Sequence, residues 1–167
     1  MANSIVGLSN AIRKEAGKWG ASNREKIIAV LEGIAFTESM YSSKINDINN
    51  MDQKDLDKAL KAKSGAGAKG IMQLTPIAVR DVYGKDYNAI SYFWDYGIKD
   101  IDKTLEVANK YLMNEYDRLS GKRTGLSTSM ALACAVAAYN AGSPRVARAV
   151  KEITKESGSV PTRWSQV

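Results

Sequence analysis

Apolar residues recur along most of this chain at three- and four-residue spacing, and short polar or glycine-rich breaks interrupt them, which is the pattern of a mainly α protein. Ile5, Leu8, Ile12 and Ala16 predict a first helix over residues 4–18. Gly20 stops it, and Ser22-Asn23 supply a cap for a second helix over 24–40. Residues 45–60 are polar and acidic and pass into a short basic stretch ending at Lys63, which predicts a loop with a short helix. Between 64 and 70 lie three glycines and two alanines, the composition of a turn, and Thr75-Pro76 then reads as a cap and first residue of a helix reaching 83. The aromatic segment 83–98 is irregular by pattern. A long amphipathic helix is expected over 98–119, a basic turn over 121–125, and a central helix of small and apolar residues over 126–141, ended by Gly142 and Pro144. Residues 145–156 predict one more, basic, helix, and the tail from Ser157 a loop. No repeat, low-complexity tract or convincing strand pair interrupts this pattern.

Composition narrows the chemistry. A chain of 167 residues that is 44% hydrophobic buries roughly two-thirds of its unfolded surface, so residues 1–167 are expected to form a single domain. The absence of histidine excludes a His-based triad, a His-ligated zinc site and a histidine general base, and leaves acid and base work mainly to carboxylates. The one cysteine, Cys134, cannot form a disulfide within the chain and reads as a small core hydrophobe. A net charge of +6 and a pI near 9.3 favour an anionic partner. The basic residues are scattered apart from Arg145, Arg148 and Lys151, so nucleic acid is not expected. No segment is long enough to span a bilayer, and the N-terminus lacks the basic lead and apolar core of a secretory signal.

Three segments carry candidate chemistry. In the second helix Glu38 shares a stripe with Ile27, Leu31 and Ile34, so it is expected to face inward at the helix end. Partial desolvation there would keep its proton available near neutral pH, as a general acid on a glycosidic oxygen requires; an exposed glutamate at a frayed end is the plainer alternative. Ser39 could bond a sugar or steady the carboxylate. In the segment Gly67-Ala68-Lys69-Gly70-Ile71-Met72-Gln73 the small residues would let a saccharide approach the backbone, and Gln73 offers both a donor and an acceptor. Met72 could pack on the sugar or the acid, or, with Ile71 and Leu74, simply anchor the loop in the core. In Ala138-Tyr139-Asn140-Ala141-Gly142, Tyr139 shares a face with Leu132 and Val136 and should reach the interior, where its hydroxyl needs a partner that Glu38 would supply. Asn140 and Gly142 also fit a plain helix end, with Gly142 as a left-handed cap.

These segments resemble, in order and in kind of element, those of the soluble, goose-lysozyme-like lytic transglycosylases over residues 22–150. The flanking Ser64, Gly67-Ala68 and Tyr111-Leu112 extend the likeness. The resemblance implies a lysozyme-like domain with a glycan groove, Glu38 as the catalytic acid, and Ser39, Gly70, Met72, Gln73, Tyr139 and Asn140 at the substrate, with no cofactor and no metal. It implies cleavage of peptidoglycan between N-acetylmuramic acid and N-acetylglucosamine, with Glu38 protonating the leaving oxygen and then deprotonating the muramic C6 hydroxyl, giving a 1,6-anhydro product. A hydrolase would usually need a second carboxylate; Asp47, Asp52, Asp55 and Asp57 are available, so muramidase hydrolysis is the nearest rival and a non-catalytic wall-binding component the other. Ile71 stands where the family usually has leucine, and the interval from Glu38 to Gly70 is longer than the family's by the acidic stretch around 45–60. Within it Asp47 and Asn49 begin like a calcium loop, but Met51 and Asp52 break the ligand pattern. An enzyme made without a signal would reach the wall through a lysis pore, in a bacteriophage particle or by a secretion complex, each implying partners of its own; alternatively, the chain could be a fragment whose signal has been removed.

Overall fold

Five of the polar residues that precede apolar stretches serve as helix caps. In the computed structural model, which describes residues 4–39, 52–65, 67–120 and 124–162, the Ser4 hydroxyl accepts from the Gly7 N–H at 3.0 Å and opens α1, Ile5–Ala16. α2 is Arg24–Ser39. Asp52 caps α3, Gln53–Lys61, accepting from the Asp55 N–H at 2.8 Å. Thr75 caps α4, Pro76–Tyr83, with proline in the first turn as its missing N–H allows. Asp86 caps α5, Tyr87–Asp95, and Ser127 caps α7, Thr128–Ala141. Between these last two runs α6, Ile101–Leu119, and α8 is Ser143–Ser157. Among the described residues there is no strand, only the isolated antiparallel bridges Lys63 to Lys69 and Lys69 to Leu74. The mainly α expectation holds.

Helix ends shift by two or three residues from the pattern reading, as at Ala16, Ile101 and Thr128, and two departures have a clear cause. The segment expected to be irregular holds α5, because Asp86 supplies a cap while its aromatic residues hide the stripe: of them only Phe93 is buried, and Tyr87, Tyr92 and Tyr96 are exposed. The last helix starts at Ser143 rather than 145, since Pro144 sits in its first turn, where proline is tolerated, instead of marking a stop. The acidic stretch is described only from Asp52 onward, so Asp47 and its neighbours lie outside the described residues.

The chain divides into two compact units, Met1–Asn109 and Lys110–Val167. In the first, α1 packs on α2. Leu8, Ile12, Ile27 and Leu31 are completely buried, each contributing about 1.5–3 kcal/mol relative to exposure. A polar link ties the end of α1 to α6. The Trp19 indole N–H donates to Asn109 Oδ1 at 2.7 Å, and Asn109 Nδ2 donates to the Glu15 carbonyl oxygen at 3.1 Å and to Glu15 Oε2 at 3.2 Å. Glu15 is buried and pairs with Lys18 at 2.7 Å, so its charge is matched rather than stranded.

In the second unit α7 and α8 pack together with the end of α6 around Leu119, Leu126, Met130, Ala131, Cys134, Ala138, Val146 and Val150. The most deeply buried positions of α7 are the small ones, Ala131, Cys134, Ala135 and Ala138, whereas Leu132 and Val136 are half-buried. Burial raises the Cys134 thiol above its ordinary pKa, as suits a core residue. Among the described residues no helix is long and apolar enough to cross a membrane.

Candidate functional site

The turn between α3 and α4 is held by a dense set of backbone bonds. The Ser64 N–H donates to the Ala68 carbonyl at 2.9 Å, and the Ser64 hydroxyl accepts from the Ala68 N–H at 3.0 Å. The Gly70 N–H donates to the Ala62 carbonyl at 2.9 Å, and Lys69 and Leu74 exchange both of their backbone bonds, at 3.0 and 2.9 Å. The result is a rigid turn whose glycines answer to geometry. Gly67 has φ 86 and Gly70 φ 75, and a Cβ on Gly70 would stand 3.0 Å from Ile98 Cδ1.

Gln73 is the one non-glycine residue with positive φ among the described residues, at 43. A left-handed conformation costs an ordinary residue about 1–2 kcal/mol, so it persists only where surroundings hold it. Here the Gln73 N–H donates to the Gly70 carbonyl at 3.0 Å, and its side-chain Nε2 donates to the same oxygen at 2.8 Å. Gln73 is half-buried, and its Oε1 takes no hydrogen bond from the described residues. An amide thus braced can accept from a ligand N–H or O–H without rearranging.

Met72 is fully buried beside fully buried Ile71 and Leu74. Such burial favours the reading of Met72 as an anchor of the turn over direct contact with a glycan.

In α2, Ile27, Leu31 and Ile34 line the buried face as the spacing predicted, and Glu38 follows Ile34 by four residues in the last turn. The backbone of Glu38 and Ser39 is helical; their side chains lie outside the described residues. In the second unit, Tyr139 is buried in the last turn of α7, its ring 5.4 Å from that of Tyr111 on α6 at a tilt of 58°, an arrangement favourable to aromatic pairs. Asn140 is exposed. Gly142 has φ 80 but ψ 138, so it is not the left-handed cap expected: it turns the chain in a conformation open mainly to glycine, with its N–H on the Ala138 carbonyl at 2.8 Å, and passes directly into α8.

The turn and the end of α2 therefore belong to the first unit, and the Tyr139-Asn140 segment to the second. The pattern reading missed the Trp19–Asn109–Glu15 link, for which a polar residue within the apolar stripe of α6 is the only signal. Among the described residues no group of three or more carboxylate or thiol side chains is placed to hold a metal ion.

A family model described as the transglycosylase SLT domain matches residues 21–160. Comparison with curated proteins and with solved structures gave no match.

Proposed function

Because the chain belongs to the SLT transglycosylase family and is on that ground a lytic transglycosylase of peptidoglycan, we propose that it cuts the β-1,4 bond from N-acetylmuramic acid to N-acetylglucosamine with Glu38 as acid and then base. Glu38 protonates the glycosidic oxygen as the bond to the anomeric carbon breaks, with the substrate's own acetamido group assisting. The same carboxylate then takes the proton of the muramic C6 hydroxyl while that oxygen bonds to the anomeric carbon. The product is a 1,6-anhydro end, no water is consumed, and Glu38 is returned protonated.

The observation that supports this role for Glu38 is the register of α2. Its three preceding stripe positions, Ile27, Leu31 and Ile34, are buried, and Glu38 continues their four-three-four spacing along the helix. Gln73 is assigned to the N-acetyl or hydroxyl groups of the glycan, on the strength of its braced amide. Tyr139, Ser39 and Asn140 are assigned to the substrate from the family's pattern, and Gly70 as the point of close backbone approach. Residues 1–167 are read as one catalytic domain, since the family match runs across the boundary between the two units.

Cleavage of purified peptidoglycan, followed as loss of turbidity, tests the role of Glu38. Glu38→Gln keeps size and hydrogen bonding but cannot cycle a proton, so it is expected to lose activity by at least about a thousandfold while sedimenting with the wall as before. Retained cleavage by that variant would remove Glu38 from the mechanism.

A further inference from the structure

The excess positive charge of the chain is concentrated in the second unit. Lys110–Val167 holds nine lysines and arginines against four aspartates and glutamates, whereas Met1–Asn109 holds fifteen against fourteen. Within the second unit, α8 carries Arg145, Arg148, Lys151 and Lys155, all exposed. Steps of three, three and four residues place them along one side of the helix, opposite buried Val146 and Val150, which belong to the core shared with α7. Glu152 and Glu156 fall at the Arg145 edge of this stripe. None of the four cations is in an ion pair with a described residue. Helix stability does not account for the arrangement. Each successive pair, Arg145 with Arg148, Arg148 with Lys151 and Lys151 with Lys155, sets like charges at the spacing where they repel. Arg145 lies in a first turn that has no acidic residue, at the positive end of the helix dipole, and only Lys155, in the last turn, is favoured by that dipole.

A row of cations kept against the preference of the helix selects a ligand with negative charges repeated along its length. What the surface lacks narrows the choice. Among the described residues of the second unit no large apolar side chain is exposed, so nothing there inserts into a bilayer. No described aromatic side chain of that unit is exposed either, so bases find no platform on which to stack. A chain of polyol units joined by phosphodiesters needs neither, because cations suffice for its phosphates and water for its hydroxyls. We propose that the outward side of α8 binds an anionic polyol-phosphate polymer of the cell wall and holds the enzyme to walls that carry it. The choice of a wall polymer rests on peptidoglycan being the substrate; the cationic stripe itself does not.

The test is titration of a fluorescently labelled poly(glycerol phosphate) with the whole protein at low salt, with a single-stranded oligonucleotide of equal charge and phosphatidylglycerol vesicles as comparison ligands. Arg148→Gln with Lys151→Gln removes the two central charges and relieves their mutual repulsion, so the fold is kept. Lys54→Gln with Lys85→Gln, at two exposed positions of the first unit, lowers the net charge equally and serves as control. The polymer should be bound more tightly than either comparison ligand. The α8 double variant should bind it roughly tenfold more weakly, and the control should stay within about twofold of the wild type. No binding of the polymer, equal or tighter binding of the oligonucleotide or the vesicles, or equal weakening by the two double variants would overturn the proposal. In parallel, retention on purified walls is compared before and after hydrofluoric acid strips the polymer from them. Stripping should release the wild type and change little for the α8 double variant; wild-type retention indifferent to stripping would overturn the proposal. Failure of the wild type to cut the stripped peptidoglycan would instead count against the catalytic reading, on which the titration does not depend.

Discussion

The side-chain amide of Gln73 donates to the carbonyl oxygen of Gly70 at 2.8 Å while the Gln73 backbone sits at φ 43. One residue thus carries both the strain of the turn and the brace that offsets it. Replacing it separates the two roles. Gln73→Gly forfeits a hydrogen bond of about 1 kcal/mol and relieves a backbone penalty of about the same size, so the melting temperature should barely move. Loss of the amide should lower kcat/KM on glycan strands by roughly tenfold to a hundredfold, about 1.4–2.7 kcal/mol of transition-state binding. Full activity in Gln73→Gly would mean that the amide serves the turn alone.

Gly70 supplies that carbonyl and leaves little room for a side chain of its own. In Gly70→Ala the new Cβ meets Ile98 Cδ1 at 3.0 Å and φ stays at 75, so denaturant unfolding should show a loss of about 1–3 kcal/mol. Adding Ile98→Val removes the obstructing methyl and should restore only part of that loss, because the backbone strain remains. Complete restoration would show that crowding, not φ, dictates glycine here.

How much of this was readable in advance differs by element. The inward stripe of α2 was, because helical spacing writes a buried face into the sequence: Ile27, Leu31 and Ile34 are buried; in α7 Tyr139 is buried as expected, but the larger Leu132 and Val136 are only half-buried while the small Ala131, Cys134, Ala135 and Ala138 take the interior. α5 was not, because its aromatic side chains are apolar yet mostly exposed, so composition points one way and burial the other. The glycine-rich turn was legible as a turn, but not the left-handed Gln73 at its end, since no local rule places a glutamine there. Met72 shows the limit of motif reasoning, for a residue that the motif assigns to the substrate is completely buried. The lysines opposed at 63 and 69 depend on a bridge that only the folded chain creates.

The link between α1 and α6 gives a stability prediction far from the chemistry. Asn109→Leu removes the acceptor for the Trp19 indole N–H and the donor to Glu15, leaving polar groups buried with lost partners at about 1–3 kcal/mol each. Urea unfolding should show a total loss of about 2–4 kcal/mol. A loss below about 0.5 kcal/mol would mean that the apolar packing of α1 on α2 holds this region without the polar link.

Asp52 confers a pH dependence on α3. Its carboxyl is held below the ordinary carboxylate range first by the Asp55 backbone N–H, with a smaller contribution from Lys58. A depressed folded pKa means that the cap's contribution is present above the unfolded value and is lost as pH falls through the folded one. Amide exchange at Asp55 should therefore accelerate below the carboxylate range. In Asp52→Asn, which caps without titrating, exchange at that site should lose this pH dependence. Parallel behaviour of the two proteins would exclude Asp52 as the titrating cap.

The central claim concerns what becomes of the anomeric carbon, and mass spectrometry of muropeptides released from purified peptidoglycan reads it directly. If Glu38 works alone as acid and then base, the muramic ends are 1,6-anhydro species, lighter than reducing ends by one water, and the Glu38→Gln protein releases none. Reducing muramic ends would contradict the account, establishing hydrolysis and requiring a carboxylate or other base that activates water.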